Sequence, residues 1–480
     1  MTLKQKAFSG VKWNTVVTIV ATVVQIAKIS VVARYIDRAD FGLLAIVNMV
    51  LGFTAMFTDL GITTAMLHKQ DISVEQYSTL YWFNWLLNIF LFLIICGISP
   101  FIAQFYNDPR LTHLIILMGL SIIISPVGKI YYTIKQKNLQ FNFISKISII
   151  NSLLGLTIAV TFVLFGFGIY SLIITSIGSA LFSAIVFSIS GRNENKILFH
   201  FNLQEVKGFF NIGIYDMAQQ ILDYFAYKID VLLLGKFFGM DDLGIYNLAK
   251  ELILKPMKMI NPIITKVGIP IFAKIQNDIS ALKQNYIKIL EILSVINFGI
   301  LSFIFVFAKP IVILLYSAKY VEVSVFVQIL SLWGMFATVG NPAGVLMVAR
   351  GRTDLGFKWS IIRVVVAPIS IFIASFFSIV AVAYSQVILQ FLFFFIYWRM
   401  MIYPLSDISL REYAGSLKIA IISSLVAIIP SLVLNSFYAG SEIMNLILGG
   451  AIFGIFYIGI AFIINKKIVH LFQSFIFKKQ

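Results

Sequence analysis

Residues 79–105 read TLYWFNWLLNIFLFLIICGISPFIAQF. These 27 residues contain no charged side chain and show no strict alternation of polar and apolar positions. As an α-helix they extend about 40 Å, which is enough to cross the roughly 30 Å hydrocarbon core of a bilayer. Because lipid offers no partner for backbone polar groups, a helix is the structure that such a run forms there. The stretch therefore predicts a transmembrane helix and excludes the alternating strand of a β-barrel.

The composition extends this interpretation to the whole chain. Mean hydropathy is +0.94, 60% of the 480 residues are hydrophobic and 12% are charged, which leaves too few polar side chains to cover a water-soluble globule. Apolar windows predict an all-α membrane protein of about fourteen spans, with twelve as the alternative count. The predicted spans are 11–33, 41–67, 79–105, 111–134, 143–165, 168–190, 209–237, 243–270, 287–315, 323–349, 358–377, 379–400, 415–437 and 444–465.

The distribution of basic residues predicts the orientation. With a cytoplasmic N-terminus, 25 of the 37 lysines and arginines lie on that side and 6 lie on the opposite side, while the remaining 6 lie within spans. The positive-inside rule then places both termini in the cytoplasm. Because Lys4 and Lys6 precede a long apolar run without a small-residue cleavage site, we expect the first helix to be a retained anchor. The single cysteine, Cys96, excludes a disulfide within the chain.

Three segments recur in the same order along the chain. Residues 34–42 (RYIDRADFG) recur as residues 236–244 (KFFGMDDLG), at an offset of 202. The two other pairs are 105–107 with 315–317 and 139–143 with 353–357. Such repeats are typical of transporters built from two homologous halves of parallel orientation. The pattern predicts an N-terminal lobe of six helices over residues 1–200, a C-terminal lobe over 201–405, and two additional helices with a tail over 406–480.

Polar side chains inside the first, seventh and eighth spans follow helical spacing. Their insertion cost, about 2.5 to 3.5 kcal/mol for each central charge, favours helical faces that line a watery cavity. Pro256 and Pro262 are expected to break the eighth span. The candidate substrate-binding residues are Gln25, Lys28, Lys228, Lys250, Lys255, Lys258 and Arg363, and the candidate ion-coupling residues are Asp216, Asp223, Asp230 and Glu251.

Six cations against four carboxylates make the predicted cavity basic, which suits an anionic substrate such as a phosphate. The carboxylates are candidates for coupling a proton or sodium gradient to transport. The alternative interpretation is that these charges pair with each other and only hold the helices together. No ATP-binding loop, cysteine metal motif or HExxH motif is present, so we predict a transporter without a cofactor or a metal. The short loops weigh against a polymerase or a glycosyltransferase.

Several segments resemble one family of membrane proteins. They are residues 10–13, 40–42, 59–61, 78–84, 105–109, 166–171, 234–238 and 243–247, with Ala249, Pro270 and residues 274–276. In these segments the chain resembles the Wzx-type, WzxC-like polysaccharide flippases of the multidrug/oligosaccharidyl-lipid/polysaccharide exporter superfamily. The resemblance extends from about residue 3 to residue 400.

The resemblance implies two six-helix lobes that form a V around a basic cavity. It also implies translocation of an undecaprenyl-diphosphate-linked oligosaccharide from the cytoplasmic to the periplasmic leaflet of a bacterial inner membrane. The expected partners are this lipid-linked oligosaccharide and membrane lipids, with other polysaccharide-assembly proteins as candidates, and no nucleic acid. A small-molecule antiporter of the multidrug branch is the alternative function, although its cavity should be acidic on balance.

Overall fold

A computed structural model describes residues 3–69, 71–192, 196–207, 214–437 and 440–464. Within these residues helices are the only regular secondary structure, joined by turns and short irregular segments, and there is no β-strand. The helices are α1 Leu3–Val32, α2 Arg38–Ala55, α3 Ile62–His68, α4 Val74–Tyr106, α5 Arg110–Lys137, α6 Phe141–Leu164, α7 Tyr170–Arg192, α8 Ile214–Phe237, α9 Gly239–Lys274, α10 Ile279–Val306, α11 Ala308–Tyr316, α12 Val323–Val339, α13 Asn341–Ala349, α14 Thr353–Ser375, α15 Ile379–Tyr397, α16 Tyr403–Ser406, α17 Leu410–Gly415, α18 Lys418–Phe437 and α19 Glu442–Ile464.

Eleven helical segments in the described residues are long and apolar enough to cross a membrane. Three further long helices, α1, α8 and α9, lie outside that set, and they are the three whose charged and polar positions the sequence singled out. Together these segments are compatible with the predicted fourteen spans. Large apolar side chains such as Leu93, Ile189 and Ile429 are mostly exposed on the helix surfaces. The protein is a multi-pass helical membrane protein, because only lipid suits so much exposed apolar surface.

The expectation of one continuous helix over residues 41–67 is wrong. Helix α2 ends at Ala55, and the chain turns through Leu60 and Gly61, whose φ angles are 44° and 78°, before α3 begins at Ile62. The Asp59 carboxylate accepts hydrogen bonds from the backbone N–H and the hydroxyl of Thr63, which stabilises the start of α3. The second predicted span is therefore two helices separated by a turn.

The expectation that Pro256 and Pro262 break the eighth span is also wrong. Helix α9 runs without interruption from Gly239 to Lys274. A proline removes one hydrogen bond of the helical ladder, and membrane helices tolerate that loss where neighbouring groups satisfy the freed carbonyl. The sequence shows that two backbone N–H donors are missing at these prolines, but it does not show that the helix continues past them.

The described chain forms two compact units, residues Met1–Gly244 and Ile245–Gln480. In the first unit α5 packs against α4 and α7, α1 packs against α6, and α2 packs against α5 and α8. In the second unit α10 packs against α12 and α18, α12 packs against α15, and α18 packs against α19. The boundary lies inside α9, so α8 packs with the helices that precede it. The predicted lobes, residues 1–200 and 201–405, are defined by repeated sequence and not by packing. The two compact units do not test them, so they stay a prediction.

The connection that follows α7 is anchored on α4 of the first unit. The Trp82 indole donates to the carbonyl of Leu198 at 2.9 Å, and the Ser78 hydroxyl accepts from the N–H of Leu198 at 2.8 Å. Val206 is fully buried in a cluster with residues of α3, α4 and α5. The backbone of this segment thus finds its hydrogen-bond partners on α4.

The repeated segments each end a helix at a residue with a positive φ angle, although the ψ angles differ, 34° at Asn107 and 167° at Ser317. Asn107 ends α4 with a φ of 55°, and Ser317 ends α11 with a φ of 82°. The tyrosine before each turn donates its hydroxyl to a helix carbonyl, Tyr106 to Leu232 at 3.2 Å and Tyr316 to Leu248 at 3.3 Å. The two copies therefore share a positive φ and a buried tyrosine at the end of a helix.

Candidate functional site

The predicted site residues of the first unit lie on α1 and α8. Gln25 is exposed on α1 and Lys28 is partly buried on the same helix. On α8, Asp223 and Lys228 are partly buried, whereas Asp230 is 3% exposed and accepts a hydrogen bond from the N–H of Val231 at 2.8 Å. Asp216 lies on α8, and its side chain falls outside the described part of the structure.

Lys228 borders an apolar cavity of about 440 Å³ between α2, α4 and α8. The wall is formed mainly by aliphatic and aromatic side chains, among them Phe53, Ile95 and Tyr224. The Lys228 ammonium also lies 5.6 Å from the centroid of the Tyr227 ring. A hydrocarbon cavity whose wall includes a lysine side chain has the chemistry to bind an amphiphile whose head group is anionic.

A direct contact between α8 and α2 fixes the position of Lys228. The Tyr224 hydroxyl donates to the carbonyl of Met49 at 2.6 Å, one turn before Lys228 on α8. A Cβ atom on Gly52 would overlap the Tyr224 hydroxyl, so glycine allows the tyrosine to reach the α2 backbone. Tyr224 therefore holds the helix that presents Lys228.

The predicted site residues of the second unit lie on α9 and α14. Lys250 is buried, Lys255 is partly buried, and Glu251 forms an ion pair with the exposed Lys258 at 3.6 Å. The Arg363 guanidinium lies 5.9 Å from the centroid of the Trp359 ring on α14. At least one cation of the predicted set is thus paired with a carboxylate of that set. The assembly of all eleven residues around one cavity stays a prediction.

The two copies of the duplicated motif meet at their glycines. A Cβ atom on Gly42 of α2 would overlap the carbonyl of Met240, and a Cβ atom on Gly244 of α9 would overlap the carbonyl of Arg38. Each glycine therefore faces the backbone of the other copy. Such close approach between membrane helices requires residues without a side chain. The repeated glycines form a reciprocal crossing of α2 and α9, whose residues 239–244 belong to the first unit.

Charged groups surround this crossing. Arg110 at the start of α5 contacts Asp108 at 2.7 Å and Asp40 of the duplicated motif at 3.5 Å. The hydrogen bonds from Arg110 hold the pKa of Asp108 below its ordinary value. Because these groups are partly exposed, the ion pairs contribute only about 0 to 1 kcal/mol each. Their main effect is to orient the ends of α2 and α5.

A second cavity in the first unit is polar, and the sequence analysis missed it. It has a volume of about 400 Å³ and lies between α2, α4, α5 and α7. Two asparagines one turn apart, Asn84 and Asn88, were a signal for it, because they interrupt the apolar run of residues 79–105. Both amides donate to the carbonyl of Thr58, at 2.8 and 3.0 Å, and so fix the turn between α2 and α3. Neither asparagine is charged, so the insertion cost that singles out the candidate site residues does not single out these two.

Comparison with known proteins relates the chain to polysaccharide biosynthesis. A family model described as "Polysaccharide biosynthesis protein" matches residues 31–325. The chain is 29% identical over 436 residues to the lipopolysaccharide biosynthesis protein WzxC of Escherichia coli (strain K12), covering 91% of this chain and 89% of that protein. It is 28% identical over 357 residues to the teichuronic acid biosynthesis protein TuaB of Bacillus subtilis (strain 168), covering 74% of each.

The fold is also found in a solved structure. The lipid II flippase MurJ in an inward closed conformation superposes with a TM-score of 0.76 at 13% sequence identity, covering 96% of this chain and 100% of that chain. The likeness extends over nearly every helix, so the two proteins share a fold. The expected resemblance to Wzx-type proteins is confirmed.

Proposed function

The chain belongs to the polysaccharide biosynthesis protein family, and from this premise we propose that it is a flippase for a lipid-linked oligosaccharide. Its substrate is an oligosaccharide carried on undecaprenyl diphosphate, and it moves from the cytoplasmic to the outer leaflet of the cytoplasmic membrane. One relative is named for lipopolysaccharide biosynthesis and another for teichuronic acid biosynthesis. These names support a transport step that the biosynthetic pathways of different glycans have in common. The chain acts by transport and makes or breaks no glycosidic bond.

The observation that carries the proposal is the position of Lys228 at the wall of the apolar cavity in the first unit. A polyprenyl diphosphate has a hydrocarbon chain, which suits the apolar side chains, and a phosphate, which suits the ammonium group. A lysine binds phosphate as a single point charge and so permits release after translocation. The other predicted cations, on α1, α9 and α14, are proposed to contact the diphosphate or the first sugar during the same cycle.

Transport proceeds by alternating access in this proposal, with both termini in the cytoplasm. A proton or sodium gradient supplies the energy, and Asp216, Asp223, Asp230 and Glu251 are the proposed coupling residues. A carboxylate in a low-dielectric environment is stabilised by binding a proton or a cation, so its occupancy can bias one conformation over the other.

The test is transport in proteoliposomes that contain a fluorescent undecaprenyl-diphosphate-linked saccharide. Lys228→Ala should lower the initial rate about tenfold or more, because a hydrogen bond to a charged group contributes about 1.5 to 3 kcal/mol. Lys228→Arg should retain part of the rate. Lys146→Ala, which removes an exposed lysine of α6, is the matched control and should behave like the wild type.

Separate proton and sodium gradients in the same vesicles identify the coupling ion. If wild-type protein moves the labelled lipid under neither gradient, the flippase proposal is wrong. Export of a cationic dye in place of the lipid would instead support the multidrug alternative. An unchanged rate in Lys228→Ala removes Lys228 from the substrate site and leaves the flippase function standing.

A further inference from the structure

The polar cavity of the first unit has no role in the site described so far. It lies on the opposite face of α2 from the apolar cavity, because Leu51 and Ala55 line the polar one whereas Met49 and Phe53 line the apolar one. Asn48 and Ser125 are exposed, whereas Asn84 and Asn88 are buried. The cavity therefore has an open side and a closed, amide-lined floor.

The floor carries an acceptor without a protein partner. Asn84 is 2% exposed, and its amide nitrogen donates to the carbonyl of Thr58 at 2.8 Å. This bond fixes the orientation of the amide, so Oδ1 is the remaining polar atom, and it is buried without a hydrogen-bond partner. A buried acceptor left unpaired costs free energy, which is recovered where a small shift of the floor side chains lets a ligand O–H donor reach it.

The hydroxyl groups around the cavity also present acceptors. The hydroxyls of Thr58, Ser121 and Ser125 donate to backbone carbonyls of their own segments at 2.7 to 2.8 Å. Their hydrogens are therefore committed, while the oxygen lone pairs remain to accept. A surface of this kind selects a ligand that is rich in hydrogen-bond donors.

The charges at the cavity balance each other. Lys129 lines the cavity, and its ammonium group forms an ion pair with Asp59 at 2.9 Å. The local net charge is thus close to zero, which disfavours a bare phosphate and equally disfavours a free metal cation. The volume of about 400 Å³ lies in the range of small-molecule sites and is far larger than an ion needs. A neutral polyhydroxyl compound fits both the charge and the size.

We propose that this polar cavity binds one sugar residue of the lipid-linked oligosaccharide through the sugar hydroxyls. The proposal rests on the proposed flippase function and names the part of the substrate that this pocket recognises. Asn84 lies about 15 Å along α4 from its start at Val74, which the predicted orientation places towards the cytoplasm. The pocket is therefore on the side from which the substrate enters.

The experiment measures sugar binding separately from lipid binding. The probe for sugar is a mild hydrolysate of the surface polysaccharide of the source bacterium, supplemented with methyl glycosides, and binding to purified protein is followed by saturation-transfer NMR. The probe for lipid is undecaprenyl diphosphate without sugar, followed by native mass spectrometry. Ser125→Trp should occlude the mouth and abolish saturation transfer to the sugars, while binding of undecaprenyl diphosphate stays unchanged.

Two further variants guard against an effect on folding. Leu117→Trp places the same indole side chain at a 37% exposed position of α5 that does not line the cavity, and it should bind sugar like the wild type. Ser121→Ala removes one acceptor with little change in shape and should weaken sugar binding about threefold to tenfold. All variants are compared at equal monodispersity on size exclusion.

Each outcome decides the proposal. It is overturned if wild-type protein gives no saturation transfer to any sugar of the hydrolysate, or if Ser125→Trp and the wild type bind sugar equally. Either result leaves the flippase function intact when the wild type still transports the labelled lipid in proteoliposomes. Loss of that transport by the wild type would instead reject the flippase function itself.

Discussion

At the scale of single residues, Tyr224 connects packing to the presentation of Lys228. Its hydroxyl donates to the Met49 carbonyl at 2.6 Å, and glycine at position 52 leaves room for it. Tyr224→Phe removes this hydrogen bond and keeps the ring. We expect a loss of about 0.5 to 1.5 kcal/mol, seen as a lower apparent melting temperature in detergent, and a smaller loss of transport than in Lys228→Ala.

The control for this residue is Tyr384→Phe, which alters a half-exposed tyrosine of α15 in the second unit. Its melting temperature should match the wild type. Equal shifts in the two variants, or no shift in Tyr224→Phe, would show that the bond between α8 and α2 contributes nothing measurable.

At the scale of elements, the crossing of α2 and α9 depends on the duplicated glycines. Gly42→Ala places a methyl group against the carbonyl of Met240, and Gly244→Ala places one against the carbonyl of Arg38. Because both obstacles are backbone atoms, the helices must separate to accommodate the methyl group. We expect each variant to lower the yield of monodisperse protein several-fold.

Gly97→Ala is the matched control for the crossing, because a Cβ atom at this position of α4 meets no neighbouring atom within 4 Å. Alanine there should be neutral or slightly stabilising, as helix propensity favours it over glycine. Normal yields of Gly42→Ala and Gly244→Ala would contradict the close approach of the two backbones.

At the scale of the whole molecule, the asymmetry of basic residues predicts the side of each loop. A variant with Cys96→Ala provides a cysteine-free background, since Cys96 is the only cysteine of the sequence. In that background Lys319→Cys should react with a membrane-impermeant maleimide in intact spheroplasts. Lys146→Cys should react only after the membrane is permeabilised.

Both introduced positions are exposed in the structure, so accessibility across the membrane and not burial decides the labelling. Labelling of Lys146→Cys in intact spheroplasts, and of Lys319→Cys only after permeabilisation, would show that the orientation is the reverse of the predicted one. The proposed direction of transport would then be wrong as well. Labelling of both positions in intact spheroplasts would contradict the odd number of spans that the sequence predicts between residues 146 and 319.

The sequence by itself determined that this is a helical membrane protein with three unusually polar helices. These properties are local: a run of about 20 apolar residues must form a helix in lipid, and a charge inside such a run is visible wherever it packs. For the same reason the candidate residues on α1, α8, α9 and α14 could be named from their spacing. Their gathering around one cavity depends on distant segments and stays a prediction.

Only the tertiary structure decided where helices break, where they continue and which polar groups meet. The turn at Leu60 and Gly61 is held by the amides of Asn84 and Asn88 on α4, and α9 continues through Pro256 and Pro262. The polar cavity behind α2 likewise requires side chains from four helices. Contacts between residues far apart in the chain set these features, because local propensity differs by less than the free energy of packing and of satisfying buried polar groups.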